Sequence, residues 1–494
     1  MGQAVQFVNH TPFPALAFGG VDQHEQDFHV VVLRQTLTWD KTGQLTFADA
    51  QAPLCEADET FDGSLHGCVR QESDLCQYKP HCDVIVNADA HAPLGPNGKP
   101  AARFQVRLMV KRPDTQLPLP PEPQGPNPRM SPGPEATAKW QAEVEAARRT
   151  WVPGERLVDK ILQVTGERHF ARDGGLQRGV DSTIMLASLG LVRPSSWRLT
   201  EPGRQASVPL RLDRAFGGQC RVEAGTPEAG RVPAAHRLTA EQAAGHPDAD
   251  GPPVAHDAFA PNPAGRGFAS DWFLNATGAQ RIPAPQVEYA NRPITLDDFM
   301  AARRGQLLAD PALVAGLGVR PKGHPERARL VGRVDRDFIQ RDAALPRDFD
   351  FAVWNAAWPD QQTEYLQGNE VIGLMNLCAA ETPGSWVDEQ GNVLLRLDLP
   401  GHCVQMLVRL ASGEMFMHPA QLDTLLLEPA QQRLSLVWRC VLAKFPEAPI
   451  RALEAWSLNP AQRDALQRQQ DSIGALLDNA AAGPAMQPAE MIDG

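Results

Sequence analysis

Hydrophobic and polar positions alternate with period two along much of the chain. FQVRLMVK at 104–111 puts Phe104, Val106, Leu108 and Val110 on one face and Gln105, Arg107 and Lys111 on the other, the pattern of a half-buried strand. Farther on, VLLRLDL turns Val393, Leu395, Leu397 and Leu399 inward, and LSLVWRCVL aligns Leu434, Leu436, Trp438, Cys440 and Leu442. FHVVVLRQTLTW (28–39) is dense in β-branched and apolar residues, which suit a pleated, packed surface. Helical patterns are few. EATAKWQAEVEAARRTW (135–151) is rich in good helix formers. ITLDDFMAARRG (294–305) offers Thr295 as an N-cap ahead of Asp297 and Asp298. A third helix starts at Asn459-Pro460 and runs to Asn479. These elements predict a mainly β, β-rich α+β fold: two sheet-based, sandwich-like units with short helices, long loops and a C-terminal helix.

Breaks in the pattern suggest an organisation. Residues 1–112 read as an N-terminal β-rich unit. PDTQLPLPPEPQGPNPRMSPGP (113–134) reads as a linker or excursion, because proline fixes φ and donates no hydrogen bond. Residues 135–445 form a second β-rich unit with long loops, and 446–494 a C-terminal helix with a disordered tail.

Length and charge narrow the function classes. The 494 residues suffice for two to four domains at about 100–200 residues each. A net charge of -12 argues against a nucleic-acid surface, which needs clustered Lys and Arg. No apolar run approaches the roughly 18 residues of a membrane span, and the N-terminus lacks the basic-then-apolar order of a signal peptide. The expectation is a cytoplasmic protein whose eight cysteines are reduced.

Few residue patterns point to chemistry. DLCQYKPHCDVIV (74–86) carries Cys76 and Cys82 around Lys79, Pro80 and His81. The spacing Cys68-x7-Cys76-x5-Cys82 lacks the paired knuckles of a structural zinc site. His81 and Cys82, as neighbours on a strand, point to opposite faces, and Cys82 falls in phase with Val84 and Val86. The expectation is a thiol packed as a small hydrophobe, with no metal. No P-loop, dinucleotide fingerprint, G-x-S-x-G or H-E-x-x-H occurs in a fitting context. Arg214 stands just before the Gly217-Gly218 pair, and Lys79-Pro80 sets an extended approach to Asp83. A buried Lys–Asp or Arg–Asp pair is the structural expectation for such positions. The carboxylates Asp350, Asp360 and Glu370 could supply a general acid and base; the expectation favoured over that is that they cap turns and pair with Arg347 or other arginines.

Several stretches taken in order resemble a bacterial family of unknown function encoded beside type VI secretion spike and effector genes. They are SDLCQYKPHCDVIVNADAHAP, VPLRLDRAFGG, NPAGRGF, LPRDFDFAVWNAAWPDQQ with LQGNEVIGLMNL, and QLDTLLLEP with LSLVWR. The resemblance carries Asp74, Lys79, Pro80 and Asp83 from the first motif, Arg214, Phe216, Gly217 and Gly218 from the second, and Asn262 and Pro263 from the third. Asp348, Asp350, Asp360, Gln361 and Glu370 come from the fourth, and Asp423 and Arg439 from the last. It implies a non-enzymatic adaptor or chaperone that binds a secreted effector, or its PAAR-repeat carrier, and helps load it onto the spike. No catalytic residue, cofactor or metal ligand is implied. RLVGRVDRDFIQRDAALP departs from the family's pattern around 332–340, and Cys76 and Cys82 are no part of it. A hydrolase with a carboxylate pocket, or a general ligand-binding β-sandwich, are the rival readings.

Overall fold

The computed structural model describes residues 5–63, 67–95, 97–124, 131–173, 196–248, 250–306 and 313–469. Strands dominate, with short helices between them, as the alternation predicts. Three sheets carry the main body. The first is seven-stranded, in the order Ala15–Val21, Asp27–Trp39, Arg433–Ala443, Gln421–Glu428, Cys82–Val86, Gln362–Thr363, with Leu45–Phe47 beside Asp27–Trp39. Its pairs are antiparallel except Gln421–Glu428 with Cys82–Val86, which run parallel.

The second sheet orders Val287–Tyr289, Arg156–Thr165, Arg103–Lys111, Val371–Met375, Val393–Asp398 and Ser385–Val387. Arg103–Lys111 and Arg156–Thr165 pair from Arg103↔Thr165 to Lys111↔Arg156. One sheet is thus built from chain on both sides of the proline-rich 113–134 stretch. The third sheet joins Gln6–Asn9, Ile450–Leu458, Cys403–Leu410 and Met415–Pro419. Ile450–Leu458 lies within the stretch read from sequence as C-terminal helix and tail, yet Leu453 and Ala455 alternate inward as a strand requires.

The apolar faces meet in one continuous core. Phe104, Val106, Leu108 and Val110 are buried there, as are Val393, Leu395 and Leu397, and Leu434, Leu436, Trp438 and Cys440. Each inward set is the one the alternation marks. A second core gathers Phe170, Phe216, Phe259, Trp272 and Phe299 around helices Asp271–Thr277 and Leu296–Arg303. Thr295 caps the latter in a reciprocal capping box with Asp298. Helix Pro134–Arg149 forms where expected. Residues 460–469 are helical; the rest of that predicted helix and the predicted disordered tail lie outside the described residues.

Candidate functional site

The first sheet has two unlike faces. One presents Cys82, Val84 and Val86 to the core. The other presents Asp83, Asp423, Arg439 and Arg34, all buried beneath covering loops. Burying this many charges is costly unless each is paired and hydrogen-bonded, and here they are.

Lys79 Nζ donates to Asp83 Oδ2 at 2.8 Å and to Thr424 Oγ1 at 2.9 Å. Asp83 also accepts the backbone N–H groups of Ala356 and Ala357, at 2.9 and 3.1 Å, and the Asn355 amide at 3.1 Å. The register shifts between Leu422 and Thr424. That bulge leaves Asp423 and Thr424 side by side, and Thr424 Oγ1 donates to Asp423 Oδ1 at 2.9 Å. Arg439 Nε donates to Asp423 Oδ2 at 2.6 Å, and Nη1 to the Cys76 carbonyl at 2.6 Å. Arg34 completes the row, pairing with Asp74 at 3.1 Å and reaching Gln71 and Ser435. Burial alone would lower the Lys79 ammonium; Asp83 first, with Cys76 and Asp423, outweighs it and holds the group above the ordinary lysine range. Arg439 is likewise held above its ordinary value, burial opposing and Asp423 prevailing. Both side chains are therefore fixed cations.

Beside this row, Gln361 donates to the carbonyls of Val84 and Leu317, at 2.7 and 2.9 Å. It accepts from Lys160 Nζ at 2.9 Å, while Asp360 accepts from the same nitrogen at 2.7 Å. Glu370 takes Arg112 and the N–H groups of Gln367 and Gly368. Asp350 caps the turn Phe351–Trp354 by accepting Ala352 N–H, and Asp348 accepts Arg333 N–H. The three carboxylates weighed as acid and base are thus each held by a separate partner. Those partners are Lys160, Arg112 and a backbone N–H; Arg347 instead faces Asp337 at 3.7 Å.

The glycine-rich motifs belong to the second core. Gly217 (φ 150°) and Gly218 (φ 117°) occupy backbone that side-chain-bearing residues rarely adopt. A Cβ on Gly217 would stand 2.1 Å from the Asn262 carbonyl. Asn262, buried, donates its amide to the carbonyls of Leu212 and Phe216, at 2.8 and 3.0 Å. Phe216 packs edge-on against Phe259. Arg214 reaches Gln286 at 3.1 Å, and Pro263 is exposed.

The matched positions thus fall into the charged row (Asp74, Lys79, Asp83, Asp423, Arg439) and the glycine cradle, with Asp348, Asp350, Asp360, Gln361 and Glu370 in local roles between. Sequence reasoning missed Arg34 and Arg327. Arg327, wholly buried, donates to Glu72 at 2.6 and 2.5 Å and to the carbonyls of Val353 and Arg320. An arginine inside the apolar run VVVLRQTL was the available signal for Arg34.

Cys82 is fully buried, and burial pushes its thiol well above the ordinary value; the Cys76 thiol is raised in the same way. Among the described residues no group of three or more His, Cys, Asp or Glu side chains could hold a metal.

A family model described as an uncharacterized protein conserved in bacteria (DUF2169) matches residues 24–119 and 129–439. The chain belongs to that family. The matched span covers the charged row and the glycine cradle. No curated protein and no solved structure matches the chain. No helix among the described residues is long and apolar enough to cross a membrane.

Proposed function

We propose that this member of the DUF2169 family is an adaptor or chaperone that binds another protein, a type VI secretion effector or its PAAR-repeat carrier, and promotes its stability and loading onto the spike. The secretion context rests on the ordered motifs of the sequence. The observation that carries a binding role is the third sheet. One of its two edge strands, Met415–Pro419, pairs on one side only among the described residues. It exposes Met415 at 57% and Phe416 at 43%, and Trp456 on Ile450–Leu458 is exposed at 40%. Met and aromatic side chains are enriched in protein-binding surfaces, and an unpaired strand edge accepts a partner strand by main-chain hydrogen bonds. The net charge of -12 suits a basic partner.

Co-expression with the product of a neighbouring effector gene, followed by pull-down and intact-mass measurement, tests the reading. The effector should co-purify, and Phe416→Ser with Met415→Ser should reduce its recovery at least tenfold. Unchanged effector solubility and secretion on deleting the adaptor would sink the idea.

A further inference from the structure

The proline-rich stretch leaves and re-enters one antiparallel strand pair of the second sheet, and its base is tied to that pair. Arg112 N–H donates to the Glu155 carbonyl at 2.8 Å, while Asp114 accepts from Lys111 at 2.6 Å and from Gly154 N–H at 2.9 Å. Thr115 and Gln116 then pair with Val152 and Trp151 in a two-stranded ribbon. Beyond it, every residue from Leu117 to Pro123 is a proline or precedes one. Proline fixes its own φ near the polyproline II value and pushes the residue before it into the extended region. Pro118 to Gln124 make no backbone–backbone hydrogen bond with the described residues, which suits a polyproline II helix, whose backbone is solvated.

That helix turns once in three residues, so Pro120 and Pro123 share one edge and Pro118 and Pro121 another. The first edge lies inward. Pro120 and Pro123 are half-buried, and Trp140 of helix Pro134–Arg149 donates its indole N–H to the Pro120 carbonyl at 3.0 Å. The second edge lies outward: Pro118 and Pro121 are exposed, with Leu119 between them exposed at 54%. Trp151, paired with Gln116 across the ribbon, is exposed at 59% and adds apolar surface. The outward edge thus presents Pro-x-x-Pro on backbone already restricted to the extended form. Grooves lined by aromatic side chains grip two prolines at this spacing, and the preset backbone keeps the ordering cost low. We propose that Leu117–Pro123 is a docking segment for a partner domain with an aromatic-lined groove for polyproline II helices. This inference goes beyond the adaptor reading and uses none of its third-sheet residues.

Isotope-labelled SH3, WW and EVH1 domains, whose grooves are of this kind, serve as NMR probes to which the unlabelled full chain is added. At least one probe should show saturable amide shifts that map to its aromatic groove. Pro118→Ala with Pro121→Ala should weaken that binding at least tenfold at an unchanged thermal midpoint, since both side chains are exposed. Two control variants should leave it within twofold: Pro153→Ala, exposed just past the ribbon, and Met415→Ser with Phe416→Ser on the third sheet. No saturable shift with any of the three probes overturns the proposal. So do shifts that map away from the groove, binding that survives the double proline variant, and binding that falls with the third-sheet pair.

Discussion

Lys79 Nζ and Asp83 Oδ2 meet at 2.8 Å with side-chain exposures of 8% and 0%. This contact ties the segment ahead of the strand Cys82–Val86 to the strand itself. Because Asp83 also receives the N–H groups of Ala356 and Ala357, it fastens a distant loop to the same point.

Removing one partner leaves a buried charge uncompensated. Asp83→Ala should therefore cost about 3–5 kcal/mol, read as a fall in the urea midpoint. Asp83→Asn keeps an acceptor for one of the two backbone N–H groups, which meet different carboxylate oxygens, and should cost less. The double variant Lys79→Met/Asp83→Leu should recover part of the Asp83→Ala loss, since it removes both charges. The two N–H groups it orphans still cost about 1–3 kcal/mol each. A loss below about 1 kcal/mol for Asp83→Ala would mean the pair is not a structural tie.

The thiols give a second test. Cys55, Cys76, Cys82, Cys220, Cys378 and Cys440 are buried, whereas Cys68 and Cys403 are partly exposed. Burial raises all of these thiols, Cys55 to about 11 and Cys440 to about 12. Since the thiolate is the reactive form, iodoacetamide at pH 7.5 should label only Cys68 and Cys403 slowly. The other six should react after unfolding, as peptide mass mapping would show. Cys76→Ser and Cys82→Ala should leave partner binding intact; rapid native labelling of Cys76 would contradict the packing role.

The strands were legible because inward positions repeat every second residue: Phe104 to Val110 and Leu434 to Leu442 lie buried as their alternation requires. The capping box at Thr295 was legible because it is local. Pairings across the chain were not. Nothing near Lys160 signals that Asp360 lies 2.7 Å away, two hundred residues on. The Asp423 bulge depends on register with Arg433–Ala443, which periodicity does not set. Ile450–Leu458 was missed because IRALEAWSL mixes residues that suit helix as well as strand.

Gly217 ought to be the least replaceable of the matched glycines. Its φ of 150° excludes side chains, and a Cβ would meet the Asn262 carbonyl at 2.1 Å. Gly217→Ala should cost at least about 2 kcal/mol from backbone strain and displacement of Asn262. Asn262→Ala, losing two buried hydrogen bonds, should cost about 2–4 kcal/mol. Both should lower the thermal midpoint, and because they share one contact the double variant should lose less than the sum.

Lys160 gives a prediction in pH. Its Nζ is buried, and the partner carboxylate of Asp360 is 45% exposed, so water screens the attraction. Desolvation outweighs Asp360, and the amine falls to about 8. The folded value lies below the 10.5 of a free lysine, so between them the unfolded chain binds more protons. Stability from this group therefore rises with pH across that window and is flat below it. Lys160→Met removes the dependence. Wild-type stability minus that of Lys160→Met should climb by up to about 3 kcal/mol from pH 7.5 to 10.5, measured by urea unfolding at each pH. Most of the rise should come before pH 10, ahead of tyrosine ionisation in the unfolded chain. Burial raises Tyr289 beside Lys160, so that ionisation lowers the stability of both proteins and largely cancels in the difference. A difference that stays flat over pH 8–10 would mean that Asp360 holds Lys160 charged, and that the ion pair prevails over burial.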